Sequence, residues 1–251
     1  MSYKAFTKAL MGLFCELLPF YIGEAHEMIR TKTSLKSDGT PVCDLDNHTL
    51  SRIRGVIQCH FPYDLTIGEE DQLVGEEMER LLAKHNQIQW TIDGLDGTSN
   101  YCYGLNSYGA TVSRRLGNAI LYAAIFRPID EKLRGNGFFY AERGRGAWQW
   151  CGKYMNFHRL STANEGPLTR RVVMLEGSSK KFFDPPFSKI GKLVTVRPSF
   201  ASCIAATTVA SGKASALLTI QNKPWDNWPS ILMIKEAGGI ITDHEGNIPK
   251  L

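Results

Sequence analysis

The chain has 251 residues, 43% of them hydrophobic and 22% charged, with 23 glycines and 11 prolines. That is enough to bury a core without disulfide staples, and it argues against extended disorder or low complexity. A net charge of +4 suits an anionic ligand, but short pairs such as Arg170-Arg171 and Lys180-Lys181 are far from the dense basic tracts that bind nucleic acid.

Six dispersed cysteines (Cys15, Cys43, Cys59, Cys102, Cys151 and Cys203) lack C-x-x-C spacing, so free thiols in a reducing cytosol account for them better than a zinc site or redox pair. The apolar stretch 11–22 is interrupted by Glu16 and Pro19 and has neither a cationic start nor a small-residue cleavage site. No segment is expected to reach the length of a membrane span. The sequence reads as soluble and cytoplasmic.

From Tyr3 to about Arg30, apolar residues recur every three or four positions (Phe6, Leu10, Leu13, Phe14, Leu17, Ile22, Met28), which predicts an amphipathic helix bent at Pro19. A polar loop from Lys32 to Pro41 follows, with turn formers at Asp38-Gly39 and Thr40-Pro41. A second helix is predicted from Asp44 or Asp46 to about Cys59. Leu65–Ile67 reads as a strand running into Gly68-Glu69-Glu70, and Glu76–His85 as a helix. Ile88–Ile92 is a strand running into Asp93-Gly94-Leu95-Asp96-Gly97-Thr98.

Tyr108–Arg115, Ala119–Arg127 and Gly137–Glu142 then form an antiparallel meander, with turns at Gly117-Asn118 and Gly144–Gly146. Strands at Val172–Leu175, Lys192–Val196, Ala214–Ile220 and Ile240–Thr242 alternate with helices at Ser202–Ser211 and Trp225–Ala237, an α/β pattern. A soft boundary near residue 150 separates an N-terminal α+β half, 1–150, from a C-terminal α/β half, 151–251.

Three acidic clusters stand where strands end or helices begin: Glu69-Glu70, Asp93-x-x-Asp96-Gly97-Thr98, and Asp226. Strand ends can bring carboxylates from distant positions to one cleft. Hard divalent cations want such oxygen ligands, and Mg²⁺ keeps several waters while phosphate oxygens complete its shell. Backbone amides at Gly97-Thr98 suit a phosphate if a helix starts there. The hydroxyl of Thr98 and a carboxylate at Glu69 or Glu70 are placed to orient an attacking water. A D-x-D-G-T nucleophile loop of the haloacid-dehalogenase type is excluded, because that chemistry needs a carboxylate where Gly94 stands.

These residues resemble the inositol-monophosphatase-like family of lithium-sensitive polyol and sugar phosphatases over nearly the whole chain. Lys36-Ser-Asp-Gly-Thr-Pro-Val42 with Asp46 resembles its N-terminal loop and second helix. Ile67-Gly-Glu-Glu70 matches its G-E-E element, and Trp90-Thr-Ile-Asp-Gly-Leu-Asp-Gly-Thr-Ser-Asn100 its W-x-I-D-P-[IL]-D-G-T-x-N signature. Phe139–Ala147 resembles its glycine-rich hairpin, and Lys223-Pro-Trp-Asp226 with Glu236-Ala-Gly-Gly239 its W-D and E-A-G-G signatures.

The resemblance implies a layered αβαβα sandwich, an Mg²⁺ cofactor and a homodimer. It implies that Glu69, Asp93 and the Leu95 carbonyl hold one metal, and that Asp93, Asp96 and Asp226 hold a second. Asp46 and Glu70 would touch a third metal or its waters. Thr98 with Glu69 would activate water, the Gly97 and Thr98 amides would bind phosphate, and Lys36 would sit in a closing loop. Ala201 and Ser202 fall in the substrate-facing stretch.

Three departures stand out. Gly94 replaces the family's Pro and should loosen the metal turn without removing a ligand. Phe200-Ala201-Ser202 replaces a small Gly-Ser/Thr-Ala run. Thr219 replaces an acid that commonly grips polyol hydroxyls.

The implied substrate is a small phosphorylated polyol, sugar or amino alcohol. Inositol monophosphate is first, histidinol phosphate the runner-up, and a sugar bisphosphate or 3′-phosphonucleotide follows. A different class of function, a regulatory or RNA-associated protein on the same fold, is the further alternative. The six histidines show no ligand spacing. Trp225, Trp228, Tyr101, Tyr103 and Tyr108 are read as packing residues, and Arg197, just before the substrate stretch, as a weaker substrate contact.

Overall fold

The computed structural model describes residues 3–22, 33–35, 41–71, 76–84, 86–128, 137–151, 154–162, 171–177, 187–220 and 223–249. Lys36, the Asp38-Gly39 turn, the far end of the first predicted helix, Arg170 and the basic pair at 180–181 lie outside them.

Helix α1 (Lys4–Ile22) buries the predicted stripe of Phe6, Leu10, Leu13, Phe14 and Leu17 together with Tyr21, and accommodates Pro19 near its end. By length and composition it is apolar enough to cross a membrane, contrary to the sequence expectation. Its stripe is instead used in the core, against α2 (Asp44–His60) and one face of a sheet. Between these helices, β1 (Thr33–Leu35) and β2 (Pro41–Cys43) pair antiparallel.

After α2 the chain enters the main sheet through β3 (Leu65–Gly68), the 3₁₀ turn Glu69–Asp71, α3 (Glu76–Leu82) and β4 (Ile88–Asp96). A short α4 (Thr98–Cys102) leads to β5 (Gly109–Leu116), β6 (Ala119–Arg127), β7 (Gly137–Glu142), β8 (Gly146–Cys151) and β9 (Asn156–Arg159). Seven strands lie in the order β3 to β9, with β3 parallel to β4 and the remaining pairs antiparallel. The meander thus runs two strands further than the sequence predicts. Trp148, Trp150 and Phe157 supply β-forming aromatic residues there, although the alternation of Trp148-Gln149-Trp150 is too short to mark a strand.

Next come β10 (Val172–Gly177), α5 (Phe187–Ile190), β11 (Thr195–Pro198), α6 (Ser202–Ala210), β12 (Ala216–Ile220) and α7 (Pro224–Glu236). These strands make a separate parallel sheet, ordered β11-β10-β12. The predicted strand Ile240–Thr242 does not form. Ile240 is 88% exposed, no strand among the described residues pairs with this run although Ile241 packs on the core, and the chain turns at Asp243, which accepts the Asn247 amide.

Side-chain alternation explains the stacking, since successive residues of a strand face opposite sides. On β6, Tyr122, Ala124 and Phe126 face α1 and α2, while Ala123 and Ile125 face α6 and α7. Behind α6 and α7 lies the small sheet, with Met174 packed on Ala205 and Val209. The described residues therefore show helix, sheet, helix and sheet in succession.

Two distant glycine motifs meet. Glu236, at the end of α7, accepts the Gly144 and Gly146 amides at 2.8 Å each, and both glycines have the positive φ (72° and 90°) their hairpin requires. This fixes α7, and with it Asp226, on the sheet.

Candidate metal centre

Strand β4 is buried along nearly its whole length and ends in a bulge between Asp93 and Asp96. The bulge re-aims the side chains: Asp93 Oδ1 accepts the Leu95 amide at 2.9 Å, and Asp96 turns toward α6. Gly97 then adopts φ 85°, and a Cβ there would lie 2.7 Å from the Ser107 carbonyl, so only glycine fits this corner.

Asp226 arrives from the first turn of α7, where Pro224 starts the helix. Thr111 on β5 donates to the Trp225 carbonyl at 2.7 Å and anchors that turn over the sheet. Carboxylate oxygens of Asp93, Asp96 and Asp226 lie within 4.8 Å of one another. Glu69 follows β3, whose parallel pairing with β4 sets Gly68 beside Ile92, and its carboxylate is near enough for its charge to raise the Asp93 pKa.

Asp96 receives three donors from the start of α6: the Ser202 amide at 3.1 Å, Ser202 Oγ at 2.9 Å and the Cys203 amide at 2.5 Å. Ser202 Oγ also lies 3.5 Å from Asp226. Asp46, in the first turn of α2, accepts the Cys43 amide at 2.8 Å and Thr98 Oγ1 at 3.1 Å. The same hydroxyl lies 2.8 Å from the Leu95 carbonyl. Glu70 lies in the 3₁₀ turn with Oε1 buried.

The structure therefore brings Glu69, Asp93, Asp96 and Asp226 together, with Thr98, Asp46, Leu95 and Ser202 hydrogen-bonded around them and Gly97 next in the chain after Asp96. Ala201 is the buried N-cap of α6. Thr219 and Arg197 are exposed on β12 and β11, Trp225, Trp228, Tyr101 and Tyr108 are buried, and Tyr103 is exposed.

Gly94 does not loosen the turn. Its carbonyl accepts the Tyr21 hydroxyl at 2.6 Å, and a Cβ there would come within 2.4 Å of the Asp46 carbonyl oxygen. Lacking a side chain, the residue lets the first turn of α2 close directly on β4.

Sequence reasoning also missed Glu176 on β10, buried and hydrogen-bonded to Ser199 Oγ. Its signal was a lone acid inside an otherwise apolar strand.

The chemistry of the donor set suits a divalent cation. Burial raises the pKa of Asp93, Asp96 and Asp226, and for Asp93 and Asp226 neighbouring carboxylates raise it further. Among the described residues no lysine or arginine pairs with these three. Packed like charges of this kind need protons or a metal, and oxygen-only ligands favour a hard ion such as Mg²⁺.

Burial also pushes Asp46 up to about 7, with Glu70 and Glu69 adding to the rise. A metal has to displace these protons, so Mg²⁺ affinity is expected to strengthen as pH rises through about 7. Without metal the sign reverses: the folded state holds the extra protons, so stability is lost as pH rises from the unfolded carboxyl range near 4 through about 7. Calorimetric Mg²⁺ titrations at pH 6 and pH 8, beside melts of the metal-free protein, check both slopes.

A layered α/β fold with a buried carboxylate cage at the strand ends defines the class. The chain belongs to the inositol monophosphatase family, whose model matches residues 6–251. A Pasteurella multocida protein named Nus factor SuhB is 27% identical over 86% of this chain and 76% of its own length. An inositol-1-monophosphatase of Rhizobium meliloti is 27% identical over 69% of this chain and 63% of its own. The crystal structure of the extragenic suppressor protein suhB from Bartonella henselae superposes with a TM-score of 0.77 over 98% of this chain and 89% of its own, at 22% identity, and shares the fold.

Proposed function

We propose that the protein is an Mg²⁺-dependent phosphatase that hydrolyses a small phosphate monoester, with inositol monophosphate the first candidate and histidinol phosphate the second. The observation that carries this is the meeting of Asp93, Asp96 and Asp226 within 4.8 Å, from three places far apart in the chain or separated by a bulge.

Glu69, Asp93 and the Leu95 carbonyl are the residues that would hold one ion, and Asp93, Asp96 and Asp226 a second, with Asp46 and Glu70 at the margin. Bound Mg²⁺ supplies Lewis-acid polarisation of the phosphoryl group and lowers the pKa of a coordinated water. Thr98 directs its hydroxyl proton toward Asp46 or the Leu95 carbonyl, which leaves an oxygen lone pair to accept a hydrogen bond from the attacking water and orient it. The Glu69 carboxylate, beside Asp93, is the base that takes that water's proton. The Gly97 and Thr98 amides are the donors assigned to the phosphate oxygens. Removing the Thr98 hydroxyl with Thr98→Val is expected to cost roughly 10²-fold in kcat with little change in KM, as loss of a group that orients the attacking water in the transition state does; steady-state kinetics separates the two constants.

A phosphate-release panel over inositol monophosphate, histidinol phosphate, a sugar bisphosphate and a 3′-phosphonucleotide tests the reading. Mg²⁺-dependent release from at least one is expected. A second reading is favoured by the relative named a Nus factor: a regulatory or RNA-associated protein whose metal site serves structure. Absence of release from all four esters, alongside specific capture of RNA, would establish that second reading and overturn the first.

A further inference from the structure

Phe200 has φ 52°, a left-handed conformation that costs any residue with a Cβ and that glycine adopts freely. Such backbone persists only where its surroundings over-determine it. Here the turn is gripped from two sides. Asn100 Nδ2 lies 2.9 Å from the Ser199 carbonyl and 3.2 Å from the Phe200 carbonyl. On the other side Glu176 accepts Ser199 Oγ, and the Ser199 amide lies 3.4 Å from the Leu175 carbonyl of the same strand.

Glu176 is only 3% exposed, and among the described residues no lysine or arginine pairs with it. A buried carboxylate is expensive unless hydrogen bonds compensate it, and Ser199 in the Phe200 turn supplies one. Immediately past that turn come the three donors that α6 sets on Asp96.

We infer that Glu176 is a positioning residue: by clamping the Ser199–Phe200–Ala201 turn in its left-handed form it holds the Ser202 and Cys203 donors, and through them Asp96, in the orientation of the metal centre. Glu176 itself contacts neither substrate nor metal. Its role builds on the proposed metal site, but its signature lies in the backbone and can be read in metal-free protein.

Epistasis tests it. If Glu176 serves to hold a strained turn, a residue that takes the turn without strain makes Glu176 dispensable. In metal-free protein, Glu176→Ala is expected to speed amide exchange at Ser202 and Cys203 by about tenfold or more, as loss of a buried hydrogen bond to the turn allows. The Glu176→Ala/Phe200→Gly double variant is expected to return exchange to within about threefold of wild type, because glycine removes the cost of positive φ. Mg²⁺ affinity, measured by calorimetry, should fall and recover in the same order.

Unchanged exchange in Glu176→Ala overturns the inference, and so does a double variant as fast as the single one. Should Glu176→Ala not fold, Glu176→Gln with and without Phe200→Gly takes its place, and the same two outcomes overturn the inference. Recovery of exchange in a protein that releases phosphate from no ester would sink the phosphatase proposal and leave the clamp standing.

Discussion

Asp93→Asn is expected to lower Mg²⁺-dependent phosphate release by about a thousandfold or more, while raising the thermal midpoint of the metal-free protein. The two effects share one cause. Asp93 is 2% exposed and faces the carboxylates of Glu69, Asp96 and Asp226, so without metal its ionised form is opposed by burial and by three like charges. An amide keeps the shape and removes that repulsion, and relief of even ~1 kcal/mol is worth roughly 2–4 °C for a domain of this size. It also removes the ligand assigned to both ions, and Lewis-acid stabilisation of the phosphoryl group is worth several kcal/mol, where each 1.4 kcal/mol is about tenfold in rate. Melting curves with and without Mg²⁺, beside turnover, measure both. A variant that loses activity and also melts lower without metal would point to a merely structural aspartate.

Gly94→Ala is expected to destabilise the protein by about 1–3 kcal/mol, the usual penalty of overpacking, and to lower turnover together with stability. The new Cβ would stand 2.4 Å from the Asp46 carbonyl oxygen and 3.0 Å from the Leu50 amide nitrogen, both backbone atoms that no rotamer change can move. The first turn of α2 must retreat, and Asp46 leaves Thr98 Oγ1 with it. Denaturant titration reads the stability, and the Mg²⁺ dependence of turnover reads the displacement. A substitution without measurable effect would mean that α2 can slide on β4, and that Thr98 does not depend on Asp46.

Much of this was legible in the sequence because the signals were local. The 3.6-residue stripe of α1, the Gly117-Asn118 turn between β5 and β6, and the glycines that follow α7 each follow from side-chain periodicity or turn chemistry. The acids of the site could be picked out because each stands at a predicted strand end or helix start. Their convergence could not be seen, since it depends on a bulge in β4 and on Thr111 anchoring the first turn of α7.

What was missed had tertiary causes. Ile240–Thr242 has the composition of a strand, but no strand among the described residues pairs with it. β8 and β9 were missed because the alternation of Trp148-Gln149-Trp150 is only three residues long and β9 has a single apolar residue, Phe157. Gly94 looked permissive because the α2 backbone pressed against it comes from some fifty residues earlier. Glu176 was passed over because only the fold brings it to Ser199.

A crystal of the protein soaked in Mn²⁺ and measured for anomalous scattering tests the metal cage most directly. Density peaks are expected among Asp93, Asp96, Asp226 and Glu69, at about 2.0–2.3 Å from their oxygens. Four carboxylates that keep their protons and hydrogen bonds, with no anomalous peak between them, would contradict it.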